Sequence, residues 1–365
     1  MQKVYSGLRS IQKLTDIVGN TQNRYLLVCD SAYKYLNVQS YIDGLPNIVA
    51  TFDNFTPNPL YQDVVKGVEC FKMHNCNGIL AIGGGSTLDV AKCIKLFSAL
   101  NPQANYLEQQ PVETDMPLIA VPTTAGTGSE GTHFAVIYFE GKKYSVAHPS
   151  LVPSCVILDA ELLKTLPDYQ KKCTMLDALC HSIESWWCVN STEESIDSAK
   201  RAIRLIIQNK DAYLAGNLNA AQEILQAAYY AGRAINISKT TAPHAMSYKL
   251  TSLYNIPHGH AVALCLPKVW QYMNNHLEQC VDLRGTAYLQ QVFSSIALEL
   301  GAKNADEAVA LFEGMLRSLN IHSPSWQEEQ LQILASSVNA ERLKNNPIKI
   351  SNSDFAALYR EILTI

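Results

Sequence analysis

The sequence predicts two domains of different class, an α/β domain built on a parallel sheet over residues 1–166 and an all-helical domain over 167–365. Three observations predict it. Short apolar runs alternate with helical patterns through the first half of the chain. After Pro167 strand signals fade, and amphipathic helical periodicity runs almost to the end. At 365 residues the chain is too long for one ordinary core and suits two.

In chain order, the runs Arg24–Cys29, Asn47–Phe52, Gly78–Ile82 and Leu118–Val121 read as strands. Each gives way to Asp, Asn, Gly or Thr, as parallel strands do where they end at a ligand crevice. Phe134–Phe139 and Lys143–Ala147 read as a hairpin around Gly141, and Val156–Leu158 as a last strand before Asp159. The remainder is helical, without internal repeats or low-complexity stretches.

Composition sets bounds on function. A formal net charge of −4, with lysines and arginines scattered, gives no basic field for nucleic acid. No apolar run approaches the length of a membrane span, and the first six residues lack the apolar core of a signal peptide. The expectation is a soluble cytoplasmic protein. None of the ten cysteines forms a Cys-x-x-Cys pair, and Cys29, Cys93, Cys155 and Cys265 lie in apolar segments, so they read as buried free thiols of a reducing compartment.

Two loops carry the marks of a nucleotide site. Leu80-Ala-Ile-Gly83-Gly84-Gly85-Ser86-Thr-Leu-Asp89-Val-Ala-Lys92 is an apolar strand, a glycine turn and a helix beginning near Ser86. Backbone N–H groups at such a helix start face outward, and glycines admit a pyrophosphate without meeting a Cβ. Pro122-Thr123-Thr124-Ala-Gly-Thr127-Gly-Ser-Glu130 repeats the idea with hydroxyl-bearing residues suited to ribose and phosphate. Together the loops suggest a dinucleotide. Asp30 closes the first strand, where a carboxylate accepts ribose hydroxyls and repels a 2′-phosphate, which favours NAD(H) over NADP(H).

A second cluster suggests a metal. Asp177 and His181 stand four apart, so on a helix they share a face and can close on one ion. His244 follows Pro243 at a helix start, and His258 sits in Ile-Pro-His-Gly-His, a break between helices. One carboxylate and three imidazoles suit one divalent metal, Fe²⁺ or Zn²⁺, with a position open for a substrate oxygen. His260 reads as a supporting or structural histidine. His74, His133, His148, His276 and His322 show no partner pattern.

The glycine motif, the Thr-Thr-Ala-Gly-Thr-Gly-Ser-Glu motif, Asp-Ala-Leu-Cys-His-Ser-Ile-Glu and the two later histidines occur in the order found in the iron-dependent (group III) alcohol dehydrogenases, which this chain resembles from about residue 20 to about 270. The resemblance implies the fold of that family and of dehydroquinate synthase: an N-terminal dinucleotide-binding α/β domain, a C-terminal helical domain carrying the metal, and hydride transfer in the cleft between them. It also places Lys143 near the cofactor. A homodimer is compatible with it. Cofactor residues are then Asp30, Gly83, Gly84, Gly85, Ser86, Asp89, Thr123, Thr124, Thr127 and Lys143.

Departures from the family pattern bear on the substrate. Ser238, Lys239, Thr240 and Thr241 stand where the family has a small, glycine-rich helix end, and Tyr248-Lys249 stands where many members carry a further histidine and a proline. Lysines and threonine hydroxyls beside a metal can bind an anionic group. This segment resembles the phosphonoacetaldehyde reductase branch, which implies an anionic aldehyde substrate, with Tyr248 in place of the extra histidine as proton donor. The alternatives are a reductase of small neutral aldehydes and a dehydroquinate synthase-like lyase, whose metal-ligand set includes a glutamate that the Asp/His/His/His pattern does not match.

Overall fold

The computed structural model of the chain describes residues 2–19, 21–338 and 340–364. The residues divide into two compact units, the first running to Pro167 and taking in Ala215–Gly232, the second comprising Asp168–Leu214 and the residues from Arg233 onward. One long helix therefore contributes to both, a correction to a single cut near 167. The reason is local. Gln222 Nε2 donates to the Leu158 carbonyl at 3.0 Å, its Oε1 accepts from Ala160 N at 3.1 Å, and a Cβ on Gly232 would lie 2.1 Å from the Gly128 carbonyl oxygen.

The first unit contains β1 (Lys3–Ser6), β2 (Tyr25–Cys29), β3 (Ile48–Phe52), β4 (Gly78–Gly83), β5 (Leu118–Pro122), β6 (Phe134–Phe139), β7 (Lys142–Ala147) and β8 (Cys155–Leu158), with helices α1 (Gln39–Asp43), α2 (Tyr61–Met73) and α3 (Gly85–Ser98). Six strands form a sheet in the order β1-β8-β5-β4-β2-β3, all pairs parallel, and β6 pairs antiparallel with β7. Every residue of β2, β4, β5 and β8 is buried, as strands covered on both faces require. The expected strands and hairpin appear within a residue or two. β1 was not expected: Lys-Val-Tyr-Ser is a short, mostly exposed edge strand with no apolar run.

The strand order places a functional crevice. From β2 the chain moves outward to β3, and from β4 it moves the opposite way to β5, so the winding reverses between β2 and β4. In open parallel sheets ligands bind beyond the carboxyl ends of the strands at such a switch point. Asp30 and the glycine turn stand at those two ends.

The second unit is helical: α4 (Asp168–Trp187), α5 (Glu193–Leu214), the end of α6 (Leu218–Ser238), α7 (Ala242–Tyr254), α8 (His258–Asn275), α9 (Thr286–Leu300), α10 (Ala305–Ser318), α11 (Glu328–Ser336), α12 (Ala340–Leu343) and α13 (Asn352–Ile362). Buried residues on α5 recur at Ser195, Ser198, Ala199, Ala202, Ile203 and Ile206, a one-sided stripe. On α4, by contrast, every residue from Met175 to Trp187 is buried, so its polar side chains must find partners inside the unit. α4 packs on α5 and α8, and α8 on α7. All ten cysteines are free, and among the described residues no helix is long and apolar enough to cross a membrane.

Candidate active site

In the second unit, three helix segments bring the site together. α4 carries Asp177, His181 and Glu184 at i, i+4 and i+7, one face of a helix. α7 opens with Pro243 in its first turn, where a missing N–H costs nothing, and places His244 next. Pro257 caps α8 and His258 is its first residue. Gly259 allows α8 to reach α4, because a Cβ there would lie 2.0 Å from the Cys173 carbonyl oxygen and 2.9 Å from Asp177 Cβ.

Ligand atoms of Asp177, His244 and His258 all lie within 4.8 Å of one another. Asp177 Oδ1 and His244 Nε2 are buried without a hydrogen-bond partner and face each other at 3.6 Å. Atoms bound about 2.1 Å from one ion stand about 3.4 Å apart in a tetrahedral site, so the set fits a divalent metal. The electrostatics agree. Burial opposes charge on Asp177, yet the imidazoles of His181, His244 and His258 hold its carboxyl well below the usual range. Burial likewise opposes charge on His244, and the carboxylates of Glu184 and Asp177 overcome it, raising its pKa to about 10. Both shifts mean that positive charge is favoured between these two side chains. His181, the fourth expected ligand, stacks on His244 with ring centroids 4.4 Å apart, and of the three imidazoles its charge acts most strongly on Asp177.

Around the set, Tyr248 stacks on His258 with centroids 5.7 Å apart and planes 13° from parallel, on the same face of α7 as His244. The other residues expected at the substrate have varied surroundings. Thr241 is fully buried: its hydroxyl accepts from Trp187 Nε1 at 2.9 Å and donates to Glu184 Oε2 at 2.8 Å. Thr240 is buried too. Lys239 is exposed, in a left-handed conformation with φ 71° just beyond α6. Lys249 follows His244 by five residues on α7, about 140° round the helix. His260 is structural, with Nδ1 2.7 Å from Tyr169 Oη and Nε2 2.9 Å from the His322 carbonyl oxygen.

In the first unit, Gly83, Gly84, Gly85 and Ser86 turn β4 into α3, with Gly84 at the N-cap. Part of the need for glycine is internal: a Cβ on Gly83 would lie 2.2 Å from Thr87 Oγ1, and one on Gly85 would lie 2.7 Å from Thr127 Cγ2. The loop carrying Thr123, Thr124 and Thr127 thus packs directly on the glycine turn, and Thr123 N donates to the Gly83 carbonyl at 3.0 Å. Asp30 accepts from Ala32 N at 2.9 Å and from Thr87 Oγ1 at 3.0 Å, which pins it across the switch point. It lines a cavity of about 480 Å³ at the ends of β2 and β3, together with Asp43, Asp53 and Lys34. Sequence reasoning missed Asp53, because only the pairing of β3 with β2 brings it beside Asp30.

Asp89 faces protein partners. It accepts from Ser129 Oγ at 2.9 Å and from Val136 N at 3.0 Å, and so anchors the second loop and β6 while remaining partly exposed. Burial raises its pKa, against the charges of Lys92 and, more weakly, Lys143, which places Lys143 in its neighbourhood.

The family model for iron-containing alcohol dehydrogenases matches residues 1–160, and the C-terminal model of the Fe-containing alcohol dehydrogenase family matches 172–363. The chain is 32% identical over 298 residues to the phosphonoacetaldehyde reductase of Streptomyces viridochromogenes, covering 77% of this chain and 75% of that one. To the probable alcohol dehydrogenase EutG of Escherichia coli it is 30% identical over 322 residues, covering 82% and 76%. Among solved structures, the sulfoacetaldehyde reductase of Bifidobacterium kashiwanohense in complex with NAD⁺ superposes with TM-score 0.88 at 25% identity, over 99% of this chain and 97% of that one. With a parallel sheet wound about a cofactor-type switch point and a helical unit that draws Asp177, His244 and His258 together, this chain belongs to the iron-containing alcohol dehydrogenase family and is an NAD-linked alcohol dehydrogenase or aldehyde reductase.

Proposed function

We propose that the enzyme reduces a short aldehyde bearing an anionic tail, phosphonoacetaldehyde to 2-hydroxyethylphosphonate being the leading case, with NADH and one divalent metal, Fe²⁺ or Zn²⁺. The observation that carries the chemistry is the buried, partnerless pair Asp177 Oδ1 and His244 Nε2 with His258 beside them. These three side chains, together with His181, would hold the metal. A divalent metal bound there supplies Lewis-acid polarisation of the carbonyl and stabilises the negative charge that grows on its oxygen. Tyr248, stacked on His258, would give that oxygen its proton, a role its contact with a proposed metal ligand supports. The turn Gly83–Ser86 and the hydroxyls of Thr123, Thr124 and Thr127 receive the pyrophosphate, and the acidic cavity holding Asp30 favours NADH over NADPH.

The anionic substrate is supported by relatives named for phosphonoacetaldehyde and sulfoacetaldehyde, and by Lys239, Thr240 and Lys249, which flank His244 in the sequence. A neutral aldehyde is the second reading. The occupied Thr241 hydroxyl, the exposed Lys239 and the rotated Lys249 favour it. NADH oxidation measured on phosphonoacetaldehyde and propanal, with Fe²⁺ or Zn²⁺ restored, separates the two. The expected result is a preference for phosphonoacetaldehyde that Lys249→Met or Lys239→Met abolishes, a loss of about thirty-fold or more in kcat/KM with propanal turnover little changed. Equal kcat/KM on both aldehydes in the wild type replaces this proposal with the neutral reading.

A further inference from the structure

Glu184 is a wholly buried carboxylate on which three donors converge. His244 Nδ1 is hydrogen-bonded to its Oε1, while Thr241 N at 2.7 Å and Thr241 Oγ1 at 2.8 Å both donate to its Oε2. Only a carboxylate accepts at both ends, since an amide of the same shape would turn an NH₂ toward one set of donors. The direction of the chain of bonds is fixed from its far end. Trp187 Nε1 can only donate, and it donates to Thr241 Oγ1 at 2.9 Å. The threonine hydroxyl therefore sends its own hydrogen on to Glu184 Oε2, which leaves Oε1 as an acceptor and obliges His244 to carry its hydrogen on Nδ1. Nε2 is the nitrogen that faces Asp177 Oδ1, and a metal bound there would take the place of its proton. Histidine ligands held through the other ring nitrogen in this way gain both orientation and basicity.

We propose that Glu184 is a positioning residue which, through Thr241 and Trp187, locks the tautomer and tilt of His244 so that Nε2 is presented to the metal. The inference rests on the reading of Asp177, His244 and His258 as metal ligands, and it reassigns Thr241 from substrate contact to support.

The test is the Zn²⁺ affinity of the full-length protein, measured by competition with a chromogenic chelator at constant pH and scaled to the folded fraction from circular dichroism. Asp177→Asn, which does not touch Glu184, examines the metal site itself and is expected to abolish tight binding. Glu184→Gln is expected to weaken Zn²⁺ binding about ten- to a hundred-fold while NADH binding is unchanged. Thr241→Val keeps the shape, removes the hydroxyl and is expected to weaken it several-fold, which keeps the question open to decision if the glutamine variant does not fold. Full affinity in Asp177→Asn overturns the metal reading and the proposal with it. Lost affinity in Asp177→Asn with wild-type affinity in Glu184→Gln, or in Thr241→Val should that be the variant that folds, overturns the positioning role alone. A merely structural role would lower the folded fraction and leave the affinity of the folded molecules unchanged.

Discussion

Asp30 illustrates how one side chain inherits meaning from its place in a sheet. At the end of β2 it is pinned by Ala32 N and Thr87 Oγ1, so its charge is fixed over the switch point rather than swinging in solvent. A 2′-phosphate brought to that cavity meets Asp30 and also Asp43 and Asp53, with Lys34 the one basic residue on the lining among the described residues. Like charges a few ångströms apart cost a few kcal/mol at the effective dielectric of a protein surface. Asp30→Gly is therefore expected to raise the ratio of NADPH to NADH kcat/KM by roughly tenfold, short of inversion because Asp53 remains. Steady-state kinetics with both cofactors decide it, and an unchanged ratio would show that Asp30 does not face the ribose. The sequence made Asp30 visible because it ends an unmistakable apolar run. Asp53 ends one equally, and nothing in the linear chain says that the two runs lie side by side.

Helix termini do for the metal set what strand ends do for the cofactor cavity. The i,i+4 spacing on α4 and the prolines before His244 and His258 were legible, since helical period and proline punctuation are local properties. What was not legible is rotation about a helix and the identity of buried partners: Lys249 reads as a neighbour of His244 until the helix turns it away, and Glu184 reads as an ordinary helix residue until α7 lays Thr241 and His244 against it. The close crossing of α8 on α4 depends on Gly259. A methyl group there meets backbone at 2.0 Å, which no side-chain adjustment relieves. Gly259→Ala is expected to destabilise the protein by about 1–3 kcal/mol and, by displacing His258, to weaken metal binding more than it alters NADH binding. Denaturant titration with metal analysis checks both, and an alanine variant that is as stable and as fully metal-loaded as wild type would contradict the account.

At the scale of the whole molecule, stability is tied to pH by charges the first unit buries for the sake of its loops. Lys92 is wholly buried and reaches the Ser129 carbonyl at 2.6 Å, Ser129 Oγ at 2.9 Å, Thr132 Oγ1 at 2.8 Å and the Phe134 carbonyl at 2.9 Å, binding the second loop to α3. Burial lowers its pKa from 10.5 to about 8. Glu130, in the same loop, is buried with Oε1 unpartnered, and burial raises its pKa from 4.5 to about 7. Between pH 4.5 and 7 the folded chain keeps the Glu130 proton that the unfolded chain has released, so stability falls as pH rises through that window. From about 8 to 10.5 the folded chain gives up the Lys92 proton first, and stability from that group recovers. The network is thus least favourable between about 7 and 8, where both groups are charged inside the protein. Glu130→Gln removes the first of these contributions without changing the shape of the loop. It is expected to be more stable than wild type near pH 7.5, by on the order of 3 kcal/mol at most, and to converge with it near pH 4.5. Urea denaturation across pH 4.5 to 8 gives the comparison, and curves that run parallel over the whole range would mean that Glu130 stays ionised in the fold and that its burial carries no proton linkage.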